Sequence, residues 1–205
     1  MALIITAGDL VFEKDINIWI EGVSKHYDYK IYDLGGLGIG EKLEGYSPHK
    51  DTSFKPYAIL DALQYSDFVI WMDCDAILQE NIDEVIGNYD IGVTVRDKEE
   101  PSEKRGSINS GVVMVNKSGK GFVEQWANMC DKERGKRNFW TDQYCLNQLA
   151  NVKCKHVNKT MIAGDYKIKL FPVAIYNKTY YKDRDMSGGK IIHYKGTRGR
   201  IWSIL

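Results

Sequence analysis

The sequence lacks a net charge: 28 Lys+Arg stand against 28 Asp+Glu. A duplex binder needs a basic footprint to displace counterions, so the balance argues against a nucleic-acid partner, although a local basic patch can hide in an average. Paired cysteines are missing too. Cys74, Cys130, Cys145 and Cys154 have no metal-binding spacing and no repeat, and read as buried or incidental thiols of a reducing, cytoplasmic compartment. No apolar run approaches the ~20 residues that span a bilayer. The opening MALIITAGDLVFEKD has no basic leader and no small-residue cleavage site, so it reads as a first strand, not a signal peptide. Without secretion, the sequons at Asn116, Asn158 and Asn177 are chance matches.

What is present is ordinary globular material. With 43% hydrophobic and 27% charged residues, the chain is not disordered, collagenous or a coiled coil. At 205 residues, and with no sharp break in composition, one domain over residues 1–205 is the expectation. Short apolar runs at Leu3–Thr6, Tyr29–Tyr32, Phe68–Met72, Ile91–Val95 and Gly111–Val115 lack alternation, as strands buried on both faces do. Between them lie helical stripes: Ile16, Ile20 and Val23; Tyr57, Leu60, Ala62 and Leu63; Ile82, Val85 and Ile86; Phe122, Trp126 and Met129. Pro56 fits a first helical turn. This alternation predicts an α/β fold, a mostly parallel central sheet flanked by helices.

Gly35-Gly36-Leu37-Gly38-Ile39-Gly40 has the glycine density of a dinucleotide fingerprint, but turn formers and Pro48 follow where a helix N-terminus is needed. A flexible connection is the better reading. Gly87–Asp90, Asp97–Gly106 and Met186–Gly189 read as further loops.

The sharpest signal is the strand Phe68–Met72 running into Asp73-Cys74-Asp75. Strand alternation puts the two carboxylates on one side and Cys74 on the other. Side by side they repel unless a cation neutralises them, and oxygen ligands suit Mg²⁺ or Mn²⁺. The C-terminal end of a parallel strand is also where open α/β sheets place ligands. The competing reading is a pair of solvated strand-end acids.

The stretch resembles the Asp-x-Asp signature of nucleotide-sugar glycosyltransferases of the GT-A (Rossmann-like) fold. Three further motifs follow in order. Asn109-Ser110-Gly111 on an apolar strand resembles the Asn-Ser/Ala-Gly strand of retaining family-8 and family-34 enzymes. Asp142-Gln143 is similar to their Asp-Gln element opening a helix, and His193-Tyr194-Lys195-Gly196 to their metal-binding histidine motif.

The resemblance implies a UDP-sugar donor, a glycan or other hydroxyl acceptor, and hexosyl transfer with retention. Asp73, Asp75 and His193 would hold the metal, the histidine favouring Mn²⁺ over Mg²⁺. Gly196 would let backbone approach the diphosphate, with Lys195 and Arg198 supplying charge, and Arg200 as either a further charge or a surface residue. Lys55 is either a cation beside the diphosphate or a solvated helix-start lysine. Thr6, Ala7 and Gly8, ending the first strand, would face the nucleotide, and Cys74 joins the residues lining it. Asp33 either accepts a hydrogen bond from uracil or ribose or forms the turn before Gly35. Asn109, Asp97, Asp142 and Gln143 would hold the sugar hydroxyls, with Asp97 equally the first charge of its loop and Asp142 equally a first-turn carboxylate. Asp97 or Asp142 would serve as general base if the enzyme inverts. Tyr166, Tyr176, Tyr180 and Tyr181 lie in the region left to build an acceptor pocket, and are equally core material.

Two other functions fit parts of the pattern. A haloacid-dehalogenase-type phosphatase also follows a strand with Asp-x-Asp, but places it first in the fold and needs a later acidic pair, which Gly164-Asp165 does not supply. A non-catalytic sugar-nucleotide-binding module would keep the motifs without turnover.

Overall fold

The computed structural model describes residues 2–43, 52–96, 106–136, 140–152, 157–179 and 186–194. Strands β1 (Leu3–Asp9), β2 (Asp28–Gly35), β3 (Glu41–Lys42), β4 (Phe68–Met72), β6 (Ile91–Val95), β7 (Ile108–Asn116), β8 (Thr160–Ala163) and β9 (Tyr166–Pro172) form an 8-stranded sheet in the order β3-β2-β1-β4-β7-β6-β9-β8. A second, 3-stranded sheet joins β5 (Ala76–Leu78), β10 (Lys178–Thr179) and β11 (Ile191–His193) in the order β10-β11-β5. Helices α1 (Glu13–Val23), α2 (Lys55–Ala62), α3 (Lys120–Glu133), α4 (Thr141–Ala150) and the short α5 (Val173–Tyr176) connect them. In the large sheet only β7 and β8 run against the common direction, so the sheet is mixed but mostly parallel.

The unbroken apolar runs follow from burial on both faces. Ile5, Val69, Trp71 and Val113 point into one core with Ala58, Ile59, Phe122 and Trp126 of α2 and α3. Their strand neighbours Ile4, Ile70, Met72 and Val112 point into the other, with Ile16 and Trp19 of α1 and the residues of β5 and β11. Each central strand thus fills two cores at once, at about 25 cal/mol per Å² of apolar surface removed from water. The helical stripes sit a residue or so off the simple pattern. Trp19 rather than Ile20 is buried on α1, and Ala58 and Ile59 rather than Tyr57 and Leu60 on α2. On α3 the buried face runs through Cys130, with Met129 beside it. The end of α4 is set by Asn151, whose left-handed φ of 47° closes the last turn onto Asn147 O.

Two expectations need correction. The stripe Ile82, Val85, Ile86 is not a helix but a single 3₁₀ turn at Asp83–Val85, because Gly87 and the start of β6 follow too soon for an α-helix to propagate. The glycine-rich stretch is not loose either. The Asp33 carboxylate accepts the N–H groups of Gly35 (2.7 Å), Leu37 (3.1 Å) and Gly38 (3.2 Å), and β3, not a helix, comes next. Asp33 is therefore a turn former, with one acceptor position left on Oδ2.

Candidate functional site

β1 and β4, parallel neighbours, end on the same edge of the sheet, and antiparallel β7 enters from that edge. The register of β6 on β7 breaks between Val93 and Thr94, so that Val93 pairs with Val113 but Thr94 with Asn109. The residues skipped there, Ser110 to Val112, lean on β4: Asp73 N donates to Gly111 O at 2.8 Å, carrying that ladder one residue past the strand. The chain then turns, with Ala76 N donating to Asp73 O at 2.8 Å, and returns as β5. Asp73 and Asp75 therefore occupy a turn and not a continuing strand, and it is the turn that aims both at one point. β11 pairs antiparallel with β5 so that His193 lies opposite Ala76, and Tyr194 N donates to Asp75 O at 2.8 Å. Residues far apart in sequence are locked together by backbone bonds.

His193 Nε2 stands 2.9 Å from Asp75 Oδ1 and 3.8 Å from Asp73 Oδ2. One ligand atom from each of Asp73, Asp75 and His193 lies within 4.8 Å of the others, a group able to hold a metal ion. Two hard oxygens and one imidazole suit Mn²⁺ or Mg²⁺, so the donor chemistry fits such an ion. The other Asp73 oxygen faces inward, accepting Trp71 Nε1 at 2.8 Å and pairing with Lys55 Nζ at 2.7 Å. Gly111 floors the group: a Cβ there would stand 2.4 Å from His193 Cε1 and 3.2 Å from Asp73 Oδ2, too close without movement.

Lys55, at the start of α2, is buried, contrary to the solvated alternative. Its ammonium meets Asp73, Asp142 Oδ2 at 2.9 Å and Ser110 O at 3.4 Å, an acceptor for each of its three N–H bonds. Burial alone would lower its pKa, but the carboxylates of Asp142 and Asp73 outweigh that and hold it above the ordinary lysine value. Asp142, in the first turn of α4, also accepts from the Thr52 hydroxyl, and its carbonyl accepts Trp126 Nε1 at 2.9 Å. Gln143 Oε1 accepts from Ser110 N at 3.4 Å, and Asn109 Oδ1 from Gly111 N at 3.2 Å. Lys55, Asp73, Asn109, Asp142 and Gln143 thus form one connected wall beside the Asp-Asp-His group.

Other candidates are placed differently. Thr6 and Ala7 are buried within β1, and Gly8 pairs with Asp33 at the strand's end. Cys74 packs into the α1-side core, its thiol pushed up by burial and then by the flanking Asp75 and Asp73 carboxylates, so its side chain does not line the edge. Tyr176 belongs to the core, edge-on to Phe171 with its hydroxyl donating to Glu84, and Tyr166 packs edge-on against Phe122. Asp97, Lys195, Gly196, Arg198, Arg200, Tyr180, Tyr181 and Cys154 lie outside the described residues. Thr52 and Asn177 belong to the site yet carry no motif, while Trp71 and Ser110 lie within the Asp-x-Asp strand and the Asn-Ser-Gly motif without a role assigned to them there. The buried Asn177, whose Oδ1 lies 2.7 Å from His193 Nδ1, shows in sequence only as a sequon.

A family model described as nucleotide-diphospho-sugar transferase matches residues 48–200, a span that holds the Asp-Asp-His group and its wall. Among solved structures, a glycosyltransferase involved in glycosylation of the major capsid of PBCV-1 has a TM-score of 0.70 at 11% identity, covering 100% of this chain and 99% of that one. The glycosyltransferase GlyE of Streptococcus pneumoniae TIGR4 has a TM-score of 0.58 at 18% identity, covering 94% and 54%. The galactosyltransferase LgtC, solved with donor and acceptor sugar analogs, has a TM-score of 0.55 at 15% identity, covering 95% and 87%. No curated protein sequence matches the chain. Among the described residues no helix is long and apolar enough to cross a membrane. The fold is thus the GT-A fold, and the chain belongs to the nucleotide-diphospho-sugar transferase family.

Proposed function

We propose that this chain, as a single GT-A domain, moves a hexose from a UDP-sugar to a glycan or similar hydroxyl, with a divalent cation held by Asp73, Asp75 and His193. The observation carrying this reading is the convergence of those three side chains at the sheet edge where β1 and β4 end. A Mn²⁺ or Mg²⁺ ion bound there would act as Lewis acid towards the diphosphate and offset its charge. The chain's own residues do the rest. Lys55, kept charged by Asp142 and Asp73, offsets part of their negative charge at the wall. The amides of Asn109 and Gln143 orient sugar hydroxyls, where an epimer would leave a buried polar group unpaired.

Retention is favoured by what occupies Asp142. Its carboxylate is engaged by Lys55 and Thr52, which leaves it poorly placed to take a proton from an acceptor. In the retaining route an oxygen of the departing phosphate takes that proton instead.

The test is a calorimetric screen of UDP-glucose, UDP-galactose and GDP-mannose with and without Mn²⁺, followed by donor hydrolysis with Asp75→Ala. Metal-dependent UDP-sugar binding, lost with hydrolysis in a folded variant, is the expected result. Hydrolysis at the wild-type rate in Asp75→Ala contradicts the reading, and NMR of the product anomer decides the stereochemistry.

A further inference from the structure

We propose that Asn177 is a positioning residue that fixes the tautomer of His193, leaving Nε2 as the nitrogen offered to a cation; this rests on the reading of Asp73, Asp75 and His193 as a metal site. Four buried groups form a directed chain. The Thr94 hydroxyl donates to Asn109 O at 2.8 Å, which commits its proton. Its oxygen is then an acceptor, and Asn177 Nδ2 donates to it at 2.9 Å while lying 3.5 Å from the same Asn109 carbonyl. Turning the Asn177 amide over would set Oδ1 against the Asn109 carbonyl, which has no proton to give, and would draw the Thr94 proton away from that carbonyl, leaving it without this donor. Thr94 and Asn177 are both 0% exposed, so water cannot relieve that clash, and leaving such groups unpaired is costly.

With the amide so fixed, Oδ1 faces His193 Nδ1 at 2.7 Å. An amide oxygen only accepts, so Nδ1 carries the proton, and in the neutral ring the lone pair belongs to Nε2. Nε2 is the nitrogen turned to Asp75 and Asp73. The opposite tautomer would aim an N–H at the acids. The geometry is held by backbone as well: Asn177 N donates to Val173 O at 3.0 Å, and β10, which starts one residue later, pairs with β11 so that Thr179 lies opposite His193. The hydrogen-bond chain also ties His193 to Asn109, a residue of the proposed sugar wall.

Two measurements test this. In metal-free protein labelled with ¹⁵N-histidine, long-range ¹H–¹⁵N spectra should show His193 Nδ1 protonated, and adding diamagnetic Zn²⁺ should move Nε2 alone to a metal-bound shift. Titration of free Mn²⁺ by electron paramagnetic resonance should show Asn177→Leu binding roughly 10–100-fold more weakly, the usual cost of losing a partner of a metal-bound histidine. Asn177→Asp keeps an acceptor at Nδ1; its second oxygen obliges Thr94 to turn its proton away from Asn109 O, which costs stability, but the folded variant should bind Mn²⁺ within a few-fold of wild type. A protonated Nε2 beside a bare Nδ1, or wild-type Mn²⁺ affinity in Asn177→Leu, overturns the inference. Should Asn177→Leu fail to fold, the wild-type spectra and Asn177→Asp still decide. If His193→Ala and Asp75→Ala also leave Mn²⁺ binding unchanged, the metal site itself is wrong; if they abolish it while Asn177→Leu does not, only the tautomer assignment falls.

Discussion

Lys55 Nζ and Asp142 Oδ2 stand 2.9 Å apart, with the lysine side chain 6% and the aspartate side chain 1% exposed. A pair so deep is held by its geometry, since each charge has lost its water and depends on the other. Lys55 also reaches Asp73, so a charge at the start of α2 joins the first turn of α4 to the end of β4.

Replacing Lys55 by Met strands two carboxylates. Removing one partner of a buried pair costs about 3–5 kcal/mol, so Lys55→Met should lower the urea midpoint by a large fraction of total stability. Lys55→Met with Asp142→Asn should recover part of the loss. A single variant as stable as wild type would show the pair to be solvated. The pH dependence follows from the sign of the shift. Because the folded pKa of Lys55 lies above its unfolded value, its contribution is complete below about pH 10.4 and is lost as pH rises through the folded value. The stability gap between wild type and Lys55→Met should narrow only in strong alkali.

Asp33 has the opposite sign. Burial would raise its pKa, but the N–H groups of Gly35, Leu37 and Gly38 together lower it. Its contribution is present above about pH 3.9 and is lost as pH falls through the folded value. Asp33→Asn should therefore be less stable than wild type at neutral pH, with the gap closing in acid. Parallel unfolding curves at pH 7 and in the acid range check this. A gap independent of pH would mean that the turn needs an acceptor there but no charge.

Gly111→Ala probes the floor of the Asp-Asp-His group. The added methyl would sit 2.6 Å from His193 Nδ1, so the ring or the strand must move. Overpacking of this kind costs about 1–3 kcal/mol. Because the displaced ring is a proposed ligand, Mn²⁺ affinity should fall further than the stability change alone explains. Calorimetry with Mn²⁺ beside thermal unfolding separates the two, and unchanged affinity would place the ion elsewhere.

The strands were legible because burial on both faces writes itself as an unbroken apolar run: Phe68–Met72 and Ile91–Val95 appear in the structure with the expected bounds. The convergence of Asp73, Asp75 and His193 was legible only through motif resemblance, since nothing local in Ile191–His193 says that this strand pairs with β5. The burial of Lys55 was hidden for the same reason: its partners lie on β4 and α4, and a lysine at a helix start usually faces water. Thr94 and Thr52 left no trace, and Asn177 only a sequon, because a single polar side chain has no periodicity. The role of Thr94 arises from register: the break between Val93 and Thr94 brings Asn109 level with Thr94.

The acids themselves give a prediction in which stability and function part. Asp73 and Asp75 both turn towards His193, and without a cation two carboxylates at close range repel. Asp75→Asn removes one charge and can turn its amide N–H towards the bare His193 Nε2, so in metal-free protein it should melt at or above the wild-type temperature. Adding Mn²⁺ should reverse the order. An ion that binds only the folded state stabilises it by RT ln(1 + [L]/Kd), about 2.7 kcal/mol at a hundred times Kd, and wild type gains this while Asp75→Asn gains little. Thermal unfolding of both proteins with chelator and with Mn²⁺ gives the four values needed. Equal Mn²⁺ shifts in the two would mean that Asp75 is no ligand. A metal-free Asp75→Asn that melts well below wild type would mean that its charge serves the fold, through the 2.9 Å contact with His193, before it serves any cation.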